Sequence, residues 1–200
     1  MSTYPVRLRI ALPERMSRTH LAIRLVLLMA LGAVGCSSVY WLLYLALPAL
    51  AALFITQKGG ARYLADDGPR IVGVLQWLAR AYAYLWLLTD TPPDGEVGGQ
   101  VELEIDPSGE PTAASALLRL LYSVPALILL TALSFVAAFV WLAGAVLILA
   151  ARRVPVAMAD FLAGVLRYQF RLVAYHLSLV DRYPTIEEAD VPHVSGPKAA

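Results

Sequence analysis

"GVLRYQFRLVAYHLSLVDRYP", residues 164–184, is matched without gaps by an earlier stretch of the chain. The earlier copy, residues 73–93, reads "GVLQWLARAYAYLWLLTDTPP", and nine of the 21 aligned positions are identical. The match continues upstream, where "RL" at 24–25 corresponds to "RL" at 119–120. These matches predict that the chain is a tandem duplication.

The duplication divides the chain into two predicted membrane repeats, residues 1–95 and residues 96–190. The last residues, 191–200, lack apolar periodicity, so we predict a disordered tail there. Each repeat reads in the same order: a short strand, a charge-free segment, and an amphipathic helix that ends in Asp and Pro. The predicted fold class is therefore mainly α, with a small sheet.

The composition of the chain indicates a membrane protein. Hydrophobic residues make up 59% of the sequence and charged residues 16%, and the mean hydropathy is +0.65. Ordinary soluble domains contain about 25% charged residues. The net charge of +1 gives no electrostatic reason to expect binding to nucleic acid.

Two windows, residues 25–57 and 120–151, contain no charged residue. A single straight helix of this length would extend about 48 Å, whereas the hydrocarbon core of a bilayer is about 30 Å thick. A tilted helix, a broken helix or a tight helical hairpin would each resolve the difference. We favour a transmembrane hairpin in each window, with turns at Gly35-Cys36-Ser37-Ser38 and around Ser134 and Phe135.

Basic residues border both ends of both windows. Because positive charge is retained on the cytoplasmic side, hairpins would place the amino terminus, the central linker and the carboxyl terminus there together. The predicted location is the bacterial inner (cytoplasmic) membrane, crossed several times.

The third segment of each repeat, at 73–93 and at 164–184, is apolar but interrupted by polar residues. A lone arginine at the bilayer centre costs about 2.5 to 3.5 kcal/mol on insertion scales. A helix that lies in the headgroup region avoids this cost, so we predict an interfacial amphipathic helix in each repeat.

The two predicted strands carry opposite charges. "VRLRI" at 6–10 alternates apolar residues with arginines, and "VELEI" at 101–105 alternates them with glutamates. We predict that the strands pair as a small antiparallel sheet, with one apolar face and with charge pairs toward water. The residues of these predicted charge pairs are Arg7, Arg9, Glu102 and Glu104.

Each amphipathic helix has an arginine spaced to lie between two aromatic residues on one face. An arginine that stacks on aromatic rings can also meet a lipid phosphate or a carboxylate. The spacing predicts either two sites for anionic lipid or a partner protein, or an aromatic belt that anchors the helices. The residues are Trp77, Arg80 and Tyr84 in the first copy, and Tyr168, Arg171 and Tyr175 in the second.

Asp90 and Asp181 close the two amphipathic helices, just before prolines. A carboxylate is unfavourable at the carboxyl end of a helix dipole. We therefore predict that each aspartate pairs with an arginine or caps a following turn, in preference to relaying protons.

The sequence offers no recognisable catalytic constellation. His20, His176 and His193 are far apart in the sequence, and no glycine-rich phosphate loop or nucleophile elbow is present. Cys36 follows a segment that resembles a lipoprotein signal, but a second apolar segment follows this cysteine at once. We therefore predict a non-enzymatic protein with no cofactor and no metal.

The second copy contains a pattern made of Pro155, Phe161, Gly164, Leu166, Arg167, Arg171, Ala174, Tyr175, Asp181, Tyr183 and Pro184. In these residues it resembles a bacterial inner-membrane family known only as a domain of unknown function. The first copy departs from this pattern at Leu64, at Gln76 and at Thr91-Pro92-Pro93. The resemblance implies a membrane topology and no particular activity.

Two functional hypotheses follow from the sequence. The first is a scaffold or accessory subunit of a larger membrane complex, with the phospholipid membrane and other membrane-protein subunits as partners. The second is a module that binds anionic lipid or transports a small solute.

Overall fold

The structure is a computed structural model that describes residues 4–33, 36–94 and 100–185, with side chains for 4–32, 45–94 and 100–185. It is mainly helical (69%) and contains one small sheet. The predicted domain boundary at 95–96 and the predicted tail at 191–200 lie outside the described residues. The elements in chain order are β1 (Val6–Ile10), α1 (Arg18–Ala33), α2 (Cys36–Lys58), α3 (Gly60–Arg62), a π-helical turn (Tyr63–Asp67), α4 (Gly68–Leu85), β2 (Val101–Ile105), α5 (Ala113–Tyr122), α6 (Val124–Ala151) and α7 (Val156–His176).

The strands β1 and β2 form a two-stranded antiparallel sheet, which confirms the sheet predicted from their alternating sequences. Val6 lies opposite Ile105 and Ile10 lies opposite Val101, so the two strands align end to end. The Val, Leu and Ile side chains of both strands are buried, and the charged residues between them point to the other face. The buried face packs against α4 and α7.

Helix α4 also holds the outer edge of β2 through the side chain of Gln76. The Nε2 of Gln76 donates to the carbonyl of Val101 at 2.9 Å, and its Oε1 accepts from the N–H of Leu103 at 2.6 Å. These backbone groups point away from β1, where a third strand would otherwise pair with them. The Gln76 side chain thus supplies hydrogen-bond partners for two backbone groups at the edge of the sheet.

The first charge-free window forms two helices, α1 and α2, rather than one. Helix α1 ends at Ala33, and Cys36, Ser37 and Ser38 form the start of α2. The turn predicted at Gly35-Cys36-Ser37-Ser38 is therefore wrong at its last three residues, which are helical, and Gly35 lies outside the described residues. Cysteine and serine are tolerated in a helix, so these small residues do not force a turn.

The hairpin predicted for the second window is wrong. Helix α6 runs without a break from Val124 to Ala151, so Ser134 and Phe135 lie in its middle. At 1.5 Å per residue, this helix is about 42 Å long. Serine is tolerated inside a helix, and the helix's only proline lies at its start, so no residue at the predicted turn forces the chain to reverse.

The helix that returns along α6 is α7. The hydroxyl of Tyr168 donates to the carbonyl of Ala126 at 3.4 Å, while Leu133, further along α6, shares a cavity with Phe161, earlier in α7. The two helices are therefore antiparallel. A short connection joins them, in which Arg152 adopts a left-handed φ of 56°. This arrangement is an αα-hairpin.

The interfacial position predicted for the second amphipathic helix is also wrong. From Val165 to His176, almost every side chain of α7 is buried inside the protein. Its polar side chains therefore contact protein rather than headgroups. Helix α4 differs, because Val74 and Trp77 are 60% and 47% exposed.

Among the described residues, one helix, α6, is long and apolar enough to cross a membrane. Much of its apolar surface is uncovered, since Phe135, Phe139 and Val146 are 68%, 59% and 63% exposed. By length and composition, α6 could therefore make one membrane crossing.

Candidate functional site

A buried arginine ties the start of α1 to the end of α4, and we call this cluster the first clamp (Arg24, Tyr84, Thr89 and Asp90). The Arg24 side chain is fully buried, and its Nη2 donates to the Thr89 carbonyl and to Oδ1 of Asp90, the latter at 2.8 Å. The guanidinium carbon lies 4.5 Å from the centre of the Tyr84 ring. The other oxygen of Asp90 accepts from the N–H of Ser17 at 2.6 Å. The aspartate is thus held from two sides.

A second arginine makes the same kinds of contact at the end of α7, and we call this cluster the second clamp (Arg119, Tyr175, Val180 and Asp181). The Nη1 of Arg119 donates to the carbonyls of Tyr175 and Val180, at 2.9 and 2.6 Å, and its Nη2 pairs with Asp181. The guanidinium carbon lies 4.6 Å from the centre of the Tyr175 ring. Both clamps therefore combine a carboxylate, at least one backbone carbonyl at or just after the helix end, and one tyrosine ring.

The backbone at the two helix ends is also the same. Leu87 and Ser178 both have a positive φ, of 62° and 55°. The following N–H groups bond five residues back, from Leu88 to Ala83 at 2.9 Å and from Leu179 to Ala174 at 3.0 Å. This is the Schellman pattern that closes a helix. It closes each helix with its negative dipole end near the arginine, whose positive charge suits that end.

Each helix end also receives one donor from the other half of the chain. The Nε1 of Trp141, in α6, donates to the carbonyl of Leu85 at 2.8 Å. The hydroxyl of Tyr63 donates to the carbonyl of Leu177 at 2.6 Å. Burial raises the pKa of Tyr63 to about 12, so this hydroxyl keeps its proton throughout the physiological range.

Gly109 makes room for the carboxylate of the second clamp. Its φ is +92°, a conformation that side-chain-bearing residues rarely adopt, and a Cβ placed on it would lie only 1.5 Å from Oδ2 of Asp181. The N–H of Ser108 donates to the carbonyl of Leu179 at 2.9 Å. The linker after β2 therefore packs directly against the end of α7.

The structure separates the three aromatic-site residues predicted in the first copy. The Trp77 side chain is exposed, and its Nε1 donates to Asp94 at 3.0 Å. Arg80 is half-buried, whereas Tyr84 is buried under Arg24. The hydroxyl of Tyr84 lies 3.0 Å from Nδ1 of His20.

In the second copy, Tyr168, Arg171 and Tyr175 are all buried. Tyr175 lies under Arg119, while Arg171 is 4.3 Å from the ring centre of Tyr4. Tyr168 and Arg171 also line a cavity beside α6, together with Phe161 and Leu133. The arginine that lies over each clamp tyrosine, Tyr84 or Tyr175, comes from another helix and not from the tyrosine's own helix.

Tyr4 anchors the amino-terminal segment beside Arg171 of α7. Its ring lies between the guanidinium groups of Arg171 and Arg182, and its hydroxyl donates to the carbonyl of Arg182 at 2.9 Å. Burial raises the pKa of Tyr4 to about 12, although the two nearby cations act in the opposite direction.

The predicted charge pairs lie across the water-facing side of the sheet. Arg7 lies 3.3 Å from Glu104, and Arg9 lies 3.7 Å from Glu102. Arg7 also bonds to Asp106 at 2.9 Å. These side chains are at least one-third exposed, so each pair contributes about 1 kcal/mol or less.

Sequence reasoning missed Arg24 and Arg119 as the partners of Asp90 and Asp181. Both arginines border the charge-free windows, and they occupy matching places in the alignment of the two similar stretches. That correspondence was a usable signal, because two matching aspartates at helix ends need two matching cations. Within the part of the chain that the structure describes, no group of three His, Cys, Asp or Glu side chains could hold a metal ion.

The largest described cavity lies between α4 and α7, and we call it the α4–α7 groove. Its volume is about 440 Å³, and it is open to the surface. The lining is almost entirely apolar, with Arg70 and Gln169 as its strongly polar members. The lining residues are Leu47, Arg70, Ile71, Val74, Leu75, Leu78, Tyr82, Gln169, Phe170, Val173 and Leu177.

Comparison with known families gives one match, to a domain of unknown function (DUF4389) at residues 113–186. The match begins with α5, includes α6 and α7, and ends just beyond the second clamp. It agrees with the sequence resemblance to an uncharacterised family, which is strongest in this half of the chain. No curated protein and no solved structure matches the chain.

Proposed function

We propose that this chain is an integral membrane protein made of two copies of one unit, and that it acts as a non-enzymatic scaffold or accessory subunit of a larger membrane complex. The equivalence of the two clamps supports the duplication, because the same contacts recur at residues that the repeat aligns. The resemblance of the second copy to a bacterial inner-membrane family supports a place in the bacterial inner membrane.

The observation that carries the proposal is the uncovered apolar surface of α6. Leu142 and Ile128 are 57% and 67% exposed, in addition to the two phenylalanines of this helix that are more than half exposed. A surface of this kind needs lipid or the helix of another subunit to cover it. An exposed apolar helix surface that carries no catalytic group suits packing against the helix of another subunit.

Contacts between distant segments support a common side of the membrane for the termini and the linker. β1 pairs with β2, and Ser108 in the linker bonds to Leu179 at the end of α7. Segments within hydrogen-bonding distance at water-facing loops lie on one side of a bilayer. With basic flanks on the windows, that side is the cytoplasmic one.

Membrane integration is tested by extraction with alkaline carbonate, which releases peripheral proteins. We expect the chain to stay in the membrane pellet, and its release would contradict the proposal.

The scaffold role is tested with a photo-crosslinking residue at Phe139 and a control at Glu102. We expect a membrane-protein adduct from Phe139 alone, and a protein that purifies as a monomer without such an adduct would contradict the role.

A second candidate function is lipid binding or small-solute transport. The α4–α7 groove favours lipid binding, because it offers an apolar cavity with a cation at one end. Purification in mild detergent separates the two functions, since stable protein partners support the scaffold and a bound lipid on a monomeric particle supports the alternative.

A further inference from the structure

We propose that the α4–α7 groove binds one anionic phospholipid, with an acyl chain along α4 and the phosphate at Arg70. The inference rests on the proposed membrane location, because only a chain in contact with a bilayer meets this ligand at high concentration. It differs from the lipid sites expected at Arg80 and Arg171, which do not lie on this groove.

The shape of the groove suits a long apolar chain. Its α4 side is one stripe of residues spaced by three or four, running from Arg70 through Val74 and Leu78 to Tyr82. Twelve residues of helix correspond to about 18 Å. The volume of about 440 Å³ lies within the roughly 300–1,000 Å³ typical of small-molecule sites.

Arg70 supplies a cation at the amino-terminal end of this stripe. Its side chain is exposed, and among the described residues it makes no ion pair or hydrogen bond. The nearby carboxylate of Asp67 is bound by Lys58 at 2.8 Å, and Asp66 is not within ion-pairing distance of Arg70. An uncompensated guanidinium beside an apolar groove matches an amphiphile with a phosphate head.

The aligned position in the second copy predicts how many lipids bind. Arg70 aligns with Phe161, and Leu78 aligns with Gln169, so the second half lacks this cation at the matching place. The cation of the α4–α7 groove therefore comes from the first half alone, although both halves line the groove. We expect one bound phospholipid for each chain rather than two.

The experiment uses the full-length protein in mild detergent, with phosphatidylglycerol added, and counts bound lipids by native mass spectrometry. Val74→Trp fills the groove from an exposed position and should abolish the bound lipid. Arg70→Gln should weaken binding roughly tenfold through loss of a charge-assisted hydrogen bond. Leu118→Trp on α5 and Arg62→Gln, both outside the groove, are matched controls and should bind as the wild type does.

Unchanged lipid binding in Val74→Trp, with an unchanged circular dichroism spectrum, would overturn the groove as the site. Unchanged binding in Arg70→Gln, or equal affinity for phosphatidylcholine, would overturn anionic-phospholipid selectivity. Displacement of the lipid by millimolar inorganic phosphate would show that the site selects free phosphate and would also overturn the proposal. A protein that resists carbonate extraction but retains no lipid contradicts the groove alone, whereas release by carbonate contradicts membrane integration.

Discussion

Arg24 and Asp90 are 66 residues apart in the sequence, yet the Nη2 of the arginine lies 2.8 Å from Oδ1 of the aspartate. Arg119 and Asp181 form the matching pair at the end of α7. In both places the arginine also lies over a tyrosine ring and binds at least one backbone carbonyl at or just after the helix end. The two pairs therefore fasten each amphipathic helix to the start of the apolar segment that precedes it.

Loss of either clamp arginine should destabilise the protein. Arg24→Met removes the cation but leaves Asp90 largely buried, and we expect a loss of about 3 kcal/mol in the free energy of unfolding. Thermal unfolding in mild detergent, followed by circular dichroism, measures the change. Arg62→Met, at an exposed arginine, is the control and should change stability by less than about 0.5 kcal/mol. Equal stability of the two variants would contradict a structural role for Arg24.

Asp90 should contribute more to the stability of the protein than Asp181 does. In the described part of the chain, Nε and Nη1 of Arg24 have no hydrogen-bond acceptor, whereas Arg119 binds two carbonyls besides its carboxylate. The Asp181 side chain is also 48% exposed, against 20% for Asp90. We therefore expect Asp90→Asn to lower the melting temperature more than Asp181→Asn does, and the reverse order would contradict this ranking.

Gly109→Ala should disturb the second clamp without changing any charge. The added methyl group would overlap Asp181, and the positive φ would be strained. We expect a stability loss of at least about 1 kcal/mol, similar in direction to that of Asp181→Asn. Gly73→Ala is the matched control, because a Cβ there meets no atom within 4 Å. If both alanine variants are as stable as the wild type, the close approach of Gly109 to Asp181 is contradicted.

Gln76 should be required for the sheet to stay docked on α4. Gln76→Leu leaves the Val101 carbonyl and the Leu103 N–H without their partner, which costs about 1 to 3 kcal/mol. Hydrogen exchange at β2 should accelerate in this variant, as measured by mass spectrometry. The exposed Gln57→Leu in α2 serves as the control. Exchange at β2 as slow as in the wild type would argue against this edge contact.

Tyr4 should make the protein sensitive to alkali. Its pKa is raised from 10 to about 12 in the folded protein, so the unfolded chain releases this proton first as the pH rises. Stability from Tyr4 is therefore complete below pH 10 and is lost as the pH rises toward 12, by up to about 1.4 kcal/mol per pH unit. Tyr4→Phe should flatten this dependence in unfolding experiments, whereas the exposed Tyr122→Phe should not. An identical slope in Tyr4→Phe would contradict the burial of this hydroxyl.

The sheet could be predicted from the sequence because strand pairing has a local signature. A period of two, with opposite charges on the two copies, specifies both the buried face and the partner. The clamps were harder to predict, because the need of Asp90 for a cation is visible in the sequence but the identity of that cation depends on tertiary packing.

Some predictions failed for identifiable physical reasons. The hairpin at Ser134 was inferred from the length of the window and its basic flanks, but a long uncharged segment can also form one continuous helix when no residue forces a turn. The interfacial position of α7 was inferred from its mixed composition, which fits a protein interior as well as a headgroup layer. Arg171 illustrates this ambiguity, since its partner is the Tyr4 ring from the opposite end of the chain.

The most direct test of the two matched clamps is a pair of double-mutant cycles. One cycle combines Arg24→Met with Asp90→Asn, and the other combines Arg119→Met with Asp181→Asn, with unfolding free energies measured in the same detergent. We expect favourable coupling in both cycles, about 2 kcal/mol at the buried first pair and about 1 kcal/mol at the more exposed second pair. Coupling indistinguishable from zero in either cycle would contradict the claim that the two clamps hold the two halves in the same way.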